Sequence, residues 1–123
     1  MSHHEDTVRI RHMLDSANEA FSLIEGKKRG DLDSNRLLGL ALVRLLEVLG
    51  EAAGRISKNY RSVHPKIPWM QIIGLRNRLI HGYDSVDMDI LWNIISKDLP
   101  PLIVMLKKAI PERNGDANIP GEP

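Results

Sequence analysis

The run Arg76-Asn77-Arg78-Leu79-Ile80-His81-Gly82-Tyr83 brings together the side chains best suited to chemistry in this chain. Histidine titrates near neutrality and can move a proton. Arginine grips phosphate oxygens with a two-pronged fork and can stabilise charge that develops in a transition state. Asn77 and His81 are four apart, which puts them on one face of a continuous helix. Arg76 and His81 are five apart, about 140° round a helix at about 100° per residue. They converge only if His81 turns at a helix end, and Gly82 supplies such an end. Tyr83 lies just beyond it, free to point back.

This set suits phosphodiester chemistry. The segment offers no carboxylate cluster for Mg²⁺, and no His or carboxylate spacing fits zinc. An RNA substrate carries its own nucleophile, the internal 2′-hydroxyl, so no metal-bound water is required. The competing structural reading makes the same Arg and His a C-terminal cap favoured by the helix dipole.

The charge pattern sharpens the choice. The chain has 123 residues, 17 Lys plus Arg and 16 Asp plus Glu, for a formal net charge of +1. That near-balance excludes nucleic-acid binding by bulk basicity. The charge is uneven, however. Residues 1–50 carry a net −1 and residues 84–123 a net −3, whereas residues 51–83 carry +5. In that middle third Arg55, Lys58, Arg61, Lys66, Arg76 and Arg78 stand against Glu51 alone. A basic end on a neutral domain suits a phosphate-bearing ligand. Arg78, Lys66, Arg55 and Glu51 are therefore candidates for RNA binding or support of the site.

The elements that must position these residues read as helices. Ile10, Met13, Leu14, Ala17, Phe21 and Ile24 form one apolar stripe of helical period, with Gly26 as a C-terminal cap. Lys27 to Asp33 reads as a loop. Asp33 or Ser34 then caps a second helix, apolar all round from Leu37 to Leu49 and therefore central. It runs towards Tyr60, with Glu51 and Arg55 spaced as an exposed pair. His64-Pro65 and Ile67-Pro68 mark an extended connection. A third helix spans about Trp69 to Ile80, and Gly82 stops it. Ser85 or Asp87 caps a fourth, which Pro100-Pro101 must kink or break before Leu102 to Ile110 resumes it. Trp69, Trp92 and the methionines Met13, Met70, Met88 and Met105 read as core or interface filler.

Residues 1–110 thus form one all-α domain of four to five helices, and the Pro, Gly, Asn and Asp in 111–123 predict a disordered tail. With no cysteine the chain has neither disulfides nor thiol chemistry. The first ten residues lack the apolar core of a signal peptide, and no apolar run reaches the roughly 18 residues a membrane span needs. The expectation is a soluble cytoplasmic protein.

The chain resembles the HEPN superfamily, in particular the HepT-like toxins encoded beside a minimal nucleotidyltransferase. The resemblance rests on Arg76, Asn77, His81 and Tyr83, which match the family's Arg-polar…His-x-Tyr pattern without departure. LGEAAGRIS at residues 49–57, Pro68-Trp69 and VDMDILWNIISKDLPPL at residues 86–102 carry it further, in order, so that it covers about Val8 to Ile110. It implies a bundle that dimerises about a two-fold axis, with two motifs facing each other across a composite cleft. It implies metal-independent cleavage of single-stranded RNA without a cofactor, and no DNA or membrane partner. His81 would transfer protons, Arg76 would bind and polarise the scissile phosphate, and Asn77 would position it. The nucleotidyltransferase would act as antitoxin and could transfer AMP to Tyr83. Added bulk and negative charge there would repel RNA. A second reading within the same resemblance is a non-catalytic HEPN subunit that binds nucleotide or scaffolds a nucleotidyltransferase. The complete Arg76, Asn77 and His81 set favours the enzyme.

Overall fold

Two long helices form the frame. α1 spans His3–Leu23 and α3 spans Arg36–Gly54, and they pack along each other. The structure, a computed structural model, describes residues 3–80 and 85–110. α1 and the turn that follows it contribute the stripe Ile10, Met13, Ala17, Ala20 and Ile24, all buried. α3 answers with Leu38, Leu42, Leu46, Leu49 and Ala53, spaced three and four apart. Among the described residues everything regular is helical, apart from one isolated bridge between Ile80 and Val86. The chain is an all-α bundle, as its periodicity predicts.

The stripe of α1 departs from expectation at Phe21, which is 42% exposed. Gly26 does terminate the segment: at φ 75° it takes the left-handed conformation that glycine tolerates best. The expected loop after it contains a short helix, α2, Asp31–Ser34. The cap of α3 is Asn35, not Asp33 or Ser34. Its side chain accepts from Leu38 N, and its extended backbone places it outside both helices.

α3 is less enclosed than its composition suggests. Leu37 is 78% exposed and Leu40 51%, so its N-terminal half shows an apolar face to solvent. The helix also ends earlier than expected, at Gly54. A separate α4, Lys58–Val63, carries Tyr60. Ser57 caps α4 by accepting from Tyr60 N, and the buried Asp6 of α1 accepts from Ser57 N at 2.8 Å and from its hydroxyl at 2.6 Å. Asp6 thereby ties the start of α1 to the start of α4. The Tyr60 hydroxyl donates to Ala109 O at 3.0 Å, and burial, aided by the charge of Asp6, pushes it above the ordinary phenol range.

The expected third helix is two short ones. α5 spans Trp69–Ile73 and α6 spans Leu75–Leu79, joined at Gly74. The fourth begins as α7, Met88–Asn93, capped by the Asp87 side chain, which accepts from Asp89 N and Ile90 N. The break expected at Pro100-Pro101 takes a particular form. A π turn over Ile94–Asp98 comes first, and both prolines then fall in the first turn of α8, Leu99–Ala109. Their missing N–H groups are best tolerated in a first turn, and the wider π turn absorbs the ring clash. Met13 is buried and Trp69 nearly so, but Met70 is 72% exposed and is not core filler. The predicted tail at 111–123 lies outside the described residues.

Candidate active site

α6 is short because the chain leaves it for a pairing with the next segment. Ile80 is extended at φ −96° and ψ 121° and bridges to Val86, and Leu79 O accepts from Asp87 N at 3.0 Å. The helix therefore ends at Leu79, before His81. The helix that carries Asn77 thus stops two residues short of His81, and the face expected to be shared by Asn77 and His81 falls partly outside the described residues. Residues 81–84, with His81 and Tyr83, lie outside the described residues, but the bridge joins their two flanks.

Arg76 and Arg78 stand two apart on α6, so at about 100° per residue they leave it on opposite sides. Arg76 reaches α3, where its Nε donates to Glu47 Oε2 at 3.1 Å. Arg78 reaches the π turn, where its Nη1 donates to Asp98 Oδ2 at 3.4 Å. Asn77 is exposed between them. Both ion pairs are open to solvent, so each contributes no more than about 1 kcal/mol to stability. Their effect is to fix where each guanidinium sits.

Arg76 overhangs a hollow of about 570 Å³ lined by Glu47, Gly50, Glu51, Gly54 and Ile73. Arg44 Nη1 lies 3.7 Å from Glu47 and 3.8 Å from Glu51. Glu51 thus pairs with Arg44, not with Arg55 as its spacing suggested. Gly50 allows this hollow to exist so close to α5: a Cβ there would stand 3.0 Å from Ile72 O.

The +5 segment does not form one patch. Arg61 is structural, its Nη2 donating to Ala53 O and Gly54 O at the end of α3. Arg55 lines a separate groove of about 430 Å³ between α1 and α3, with His4, Arg9, His12 and Glu51. Lys66 lies in the connection after α4, beside His64 and Lys108. Of the nominated residues, the structure brings Arg76 and Glu51 to one hollow and Glu51 and Arg55 to a second. Arg78 and Lys66 stand elsewhere. The residue that the sequence reading missed is Glu47. It lies four before Glu51 on the same face of α3, and that spacing was the available signal. Among the described residues no three His, Asp or Glu side chains gather as metal ligands, and no helix is long and apolar enough to cross a membrane.

Residues 13–109 match the family model described as "Ribonuclease HepT-like". The chain belongs to the HepT-like ribonuclease family. It is 34% identical over 90 residues to "Putative RNase MJ1380" of Methanocaldococcus jannaschii, which covers 73% of this chain and 83% of that protein. It is 36% identical over 93 residues to "Probable ribonuclease HepT" of Thermococcus cleftensis, covering 72% and 84%. "Putative RNase TTE0752" of Caldanaerobacter subterraneus subsp. tengcongensis is 34% identical over 101 residues, covering 82% and 90%. No solved structure matches the chain. The matched region contains all of α3, α5 and α6, and with them the whole frame of Arg76, Asn77 and Glu47.

Proposed function

We propose that this HepT-like protein is a metal-independent endoribonuclease toxin that cleaves single-stranded RNA. One observation carries the reading: Arg76 is held by Glu47 with two-thirds of its side chain exposed, on the short helix that leads directly to His81. An exposed, oriented guanidinium can meet a phosphate, whereas a capping arginine would be turned onto helix carbonyls, as Arg61 is. In the reaction the substrate's 2′-oxygen attacks phosphorus as the bond to the 5′-oxygen breaks. His81 takes the 2′-proton, and a protonated imidazole returns one to the departing 5′-oxygen. Arg76 balances the charge that grows on the phosphoryl oxygens, and Asn77 holds the phosphate in line.

The exposed Leu37 and Leu40 support a two-fold homodimer, since an apolar helix face on so small a domain calls for a cover. Such a dimer would set two Arg76–His81 motifs across a composite cleft. A minimal nucleotidyltransferase antitoxin would act in the same cytoplasmic compartment. It would join the Tyr83 oxygen to the α-phosphorus of ATP with pyrophosphate leaving, and the attached AMP would exclude RNA.

Purified protein should cut single-stranded RNA in EDTA, and His81→Ala and Arg76→Ala should each lose at least a hundredfold in rate. Equal rates in His81→Ala and wild type, or a requirement for Mg²⁺, would overturn the reading. Coexpression with the transferase should add AMP to wild type and not to Tyr83→Phe, as read by intact mass.

A further inference from the structure

Two cavities on the far side of α6 from Glu47 meet at Met105. The larger, about 700 Å³, lies between α5–α6 and the π turn with α8, and its lining includes Gln71, Leu75, Arg78, Asp98 and Leu102. The smaller, about 290 Å³, is lined by His64, Lys66, Ile67 and Lys108. Met105 borders both. The shared wall runs from the end of the π turn along one face of α8. Asp98, Leu102, Met105 and Lys108 recur at intervals of four, three and three, which stacks them along about 15 Å of helix.

The chemistry changes along this groove. At the α6 end Arg78 neutralises Asp98, the only carboxylate among the described lining residues. The middle is aliphatic and thioether, with the Gln71 amide at its edge. The far end holds Lys66 and Lys108, both exposed, and His64, with no acid among its described lining residues. Apolar surface with a cationic end suits a chain that alternates bases with phosphates. The thioether of Met105 and the ring of Pro101 are the more open apolar groups of the lining and can adapt to any base face. The groove also starts at α6, the helix that carries Arg76 and Asn77.

We infer that this groove along α8 is a second RNA-binding site, which holds the single strand on one side of the scissile phosphate. Bases lie against Pro101 and Met105, above the buried Leu75 and Leu102, and a phosphate sits between Lys66 and Lys108. The inference rests on the ribonuclease reading for its ligand. It adds the direction in which the strand leaves the cleavage site. It also gives Lys66 a role distinct from that of Arg76.

The test measures binding of a labelled ten-nucleotide single-stranded RNA to full-length His81→Ala protein by fluorescence anisotropy, between 50 and 200 mM KCl. Lys66→Glu with Lys108→Glu should weaken binding about tenfold and flatten the slope of log affinity on log salt by about 0.7, the value for one lost phosphate contact on a single strand. Lys27→Glu with Lys28→Glu makes the same charge change at the Gly26 turn and should leave both readings in place. Equal losses in the two pairs, or none in the first, would overturn the groove. So would an acidic peptide of matching length that binds as tightly as RNA in a Lys66- and Lys108-dependent way. Cleavage by wild type in EDTA separates the two readings. If wild type cuts RNA and the first pair changes nothing, the groove alone falls. If wild type does not cut but the first pair selectively weakens binding, the groove stands and the ribonuclease reading falls.

Discussion

Arg76 of α6 donates its Nε–H to Glu47 of α3 across 3.1 Å, and this contact ties the candidate phosphate-binding arginine to the most buried frame of the protein. Glu47 is one-quarter exposed and Arg76 two-thirds, so the carboxylate is the fixed partner and the guanidinium the presented one. The bond uses Nε, which leaves the two terminal nitrogens to face a phosphate.

Glu47→Ala should therefore separate positioning from stability. The pair is solvent-screened, so the unfolding free energy should fall by less than about 1 kcal/mol. A guanidinium that wanders by an ångström can cost up to about a hundredfold in rate. We expect kcat to fall at least tenfold with KM unchanged or lower, because an unpaired Arg76 binds ground-state phosphate at least as well. Steady-state kinetics on a short RNA reads the split. An unchanged kcat would remove Glu47 from the site.

The fold was legible wherever a local rule decides it. The α1 stripe from Ile10 to Ile24, the left-handed Gly26 and the Asp87 cap all follow from the period, the backbone or the side chain of one residue. What escaped depends on contacts distant in sequence. Ile80 leaves the helix because Val86 offers it a bridge, and Phe21 and Met70 are exposed because no described element covers them. The candidate site shows the same division. Arg76 and Asn77 were visible as residue types at a spacing, with the family resemblance behind them. That Arg76 answers Glu47 and Arg78 answers Asp98 required the positions of α3 and the π turn. The +5 run failed as a patch for this reason: neighbours in sequence left their helices on different sides.

Gly50 sets the distance between α3 and the segment that carries the site. A Cβ added there meets Ile72 O at 3.0 Å and Ile73 O at 3.7 Å, and backbone cannot swing aside as a flexible side chain can. Gly50→Ala gains about 0.4–1 kcal/mol from a stiffer unfolded chain. Overpacking costs about 1–3 kcal/mol, so it prevails. The variant should be less stable by urea denaturation, and its RNA cleavage should fall because α5 moves and takes α6 with it. Gly54→Ala is the control of opposite sign. Nothing stands within 4 Å of its added Cβ, so it should be neutral or slightly stabilising. Two variants that shift stability alike would contradict the close approach.

Asp6 is buried and takes both the N–H and the hydroxyl of Ser57. Asp6→Ala strands two donors in a partly buried place, at about 1–3 kcal/mol. Ser57→Ala removes the α4 cap and one Asp6 bond together, at about 1–2 kcal/mol. The two losses share one interaction, so the double variant should lose less than the sum of the singles. Strict additivity in a double-mutant cycle would show that the pair is not coupled.

Tyr60 sets an alkaline limit on stability, and the sign follows from its surroundings. Burial first, and then the charge of Asp6, disfavour the phenolate in the folded protein. The unfolded tyrosine titrates near its ordinary value of 10.0. Above that pH the unfolded chain has released a proton that the folded chain still holds. The unfolded state then binds fewer protons, and stability falls as pH rises until the folded group titrates too. Below pH 10 the group adds no slope. Tyr60→Phe keeps the ring and deletes the hydroxyl with its bond to Ala109 O, which should cost about 1 kcal/mol near neutrality. The same change removes the ionisation, so the gap between wild type and variant should narrow between pH 10 and 11. Urea midpoints at pH 8, 10 and 11 measure that gap. If it stays constant across the range, the hydroxyl is not held neutral by the fold.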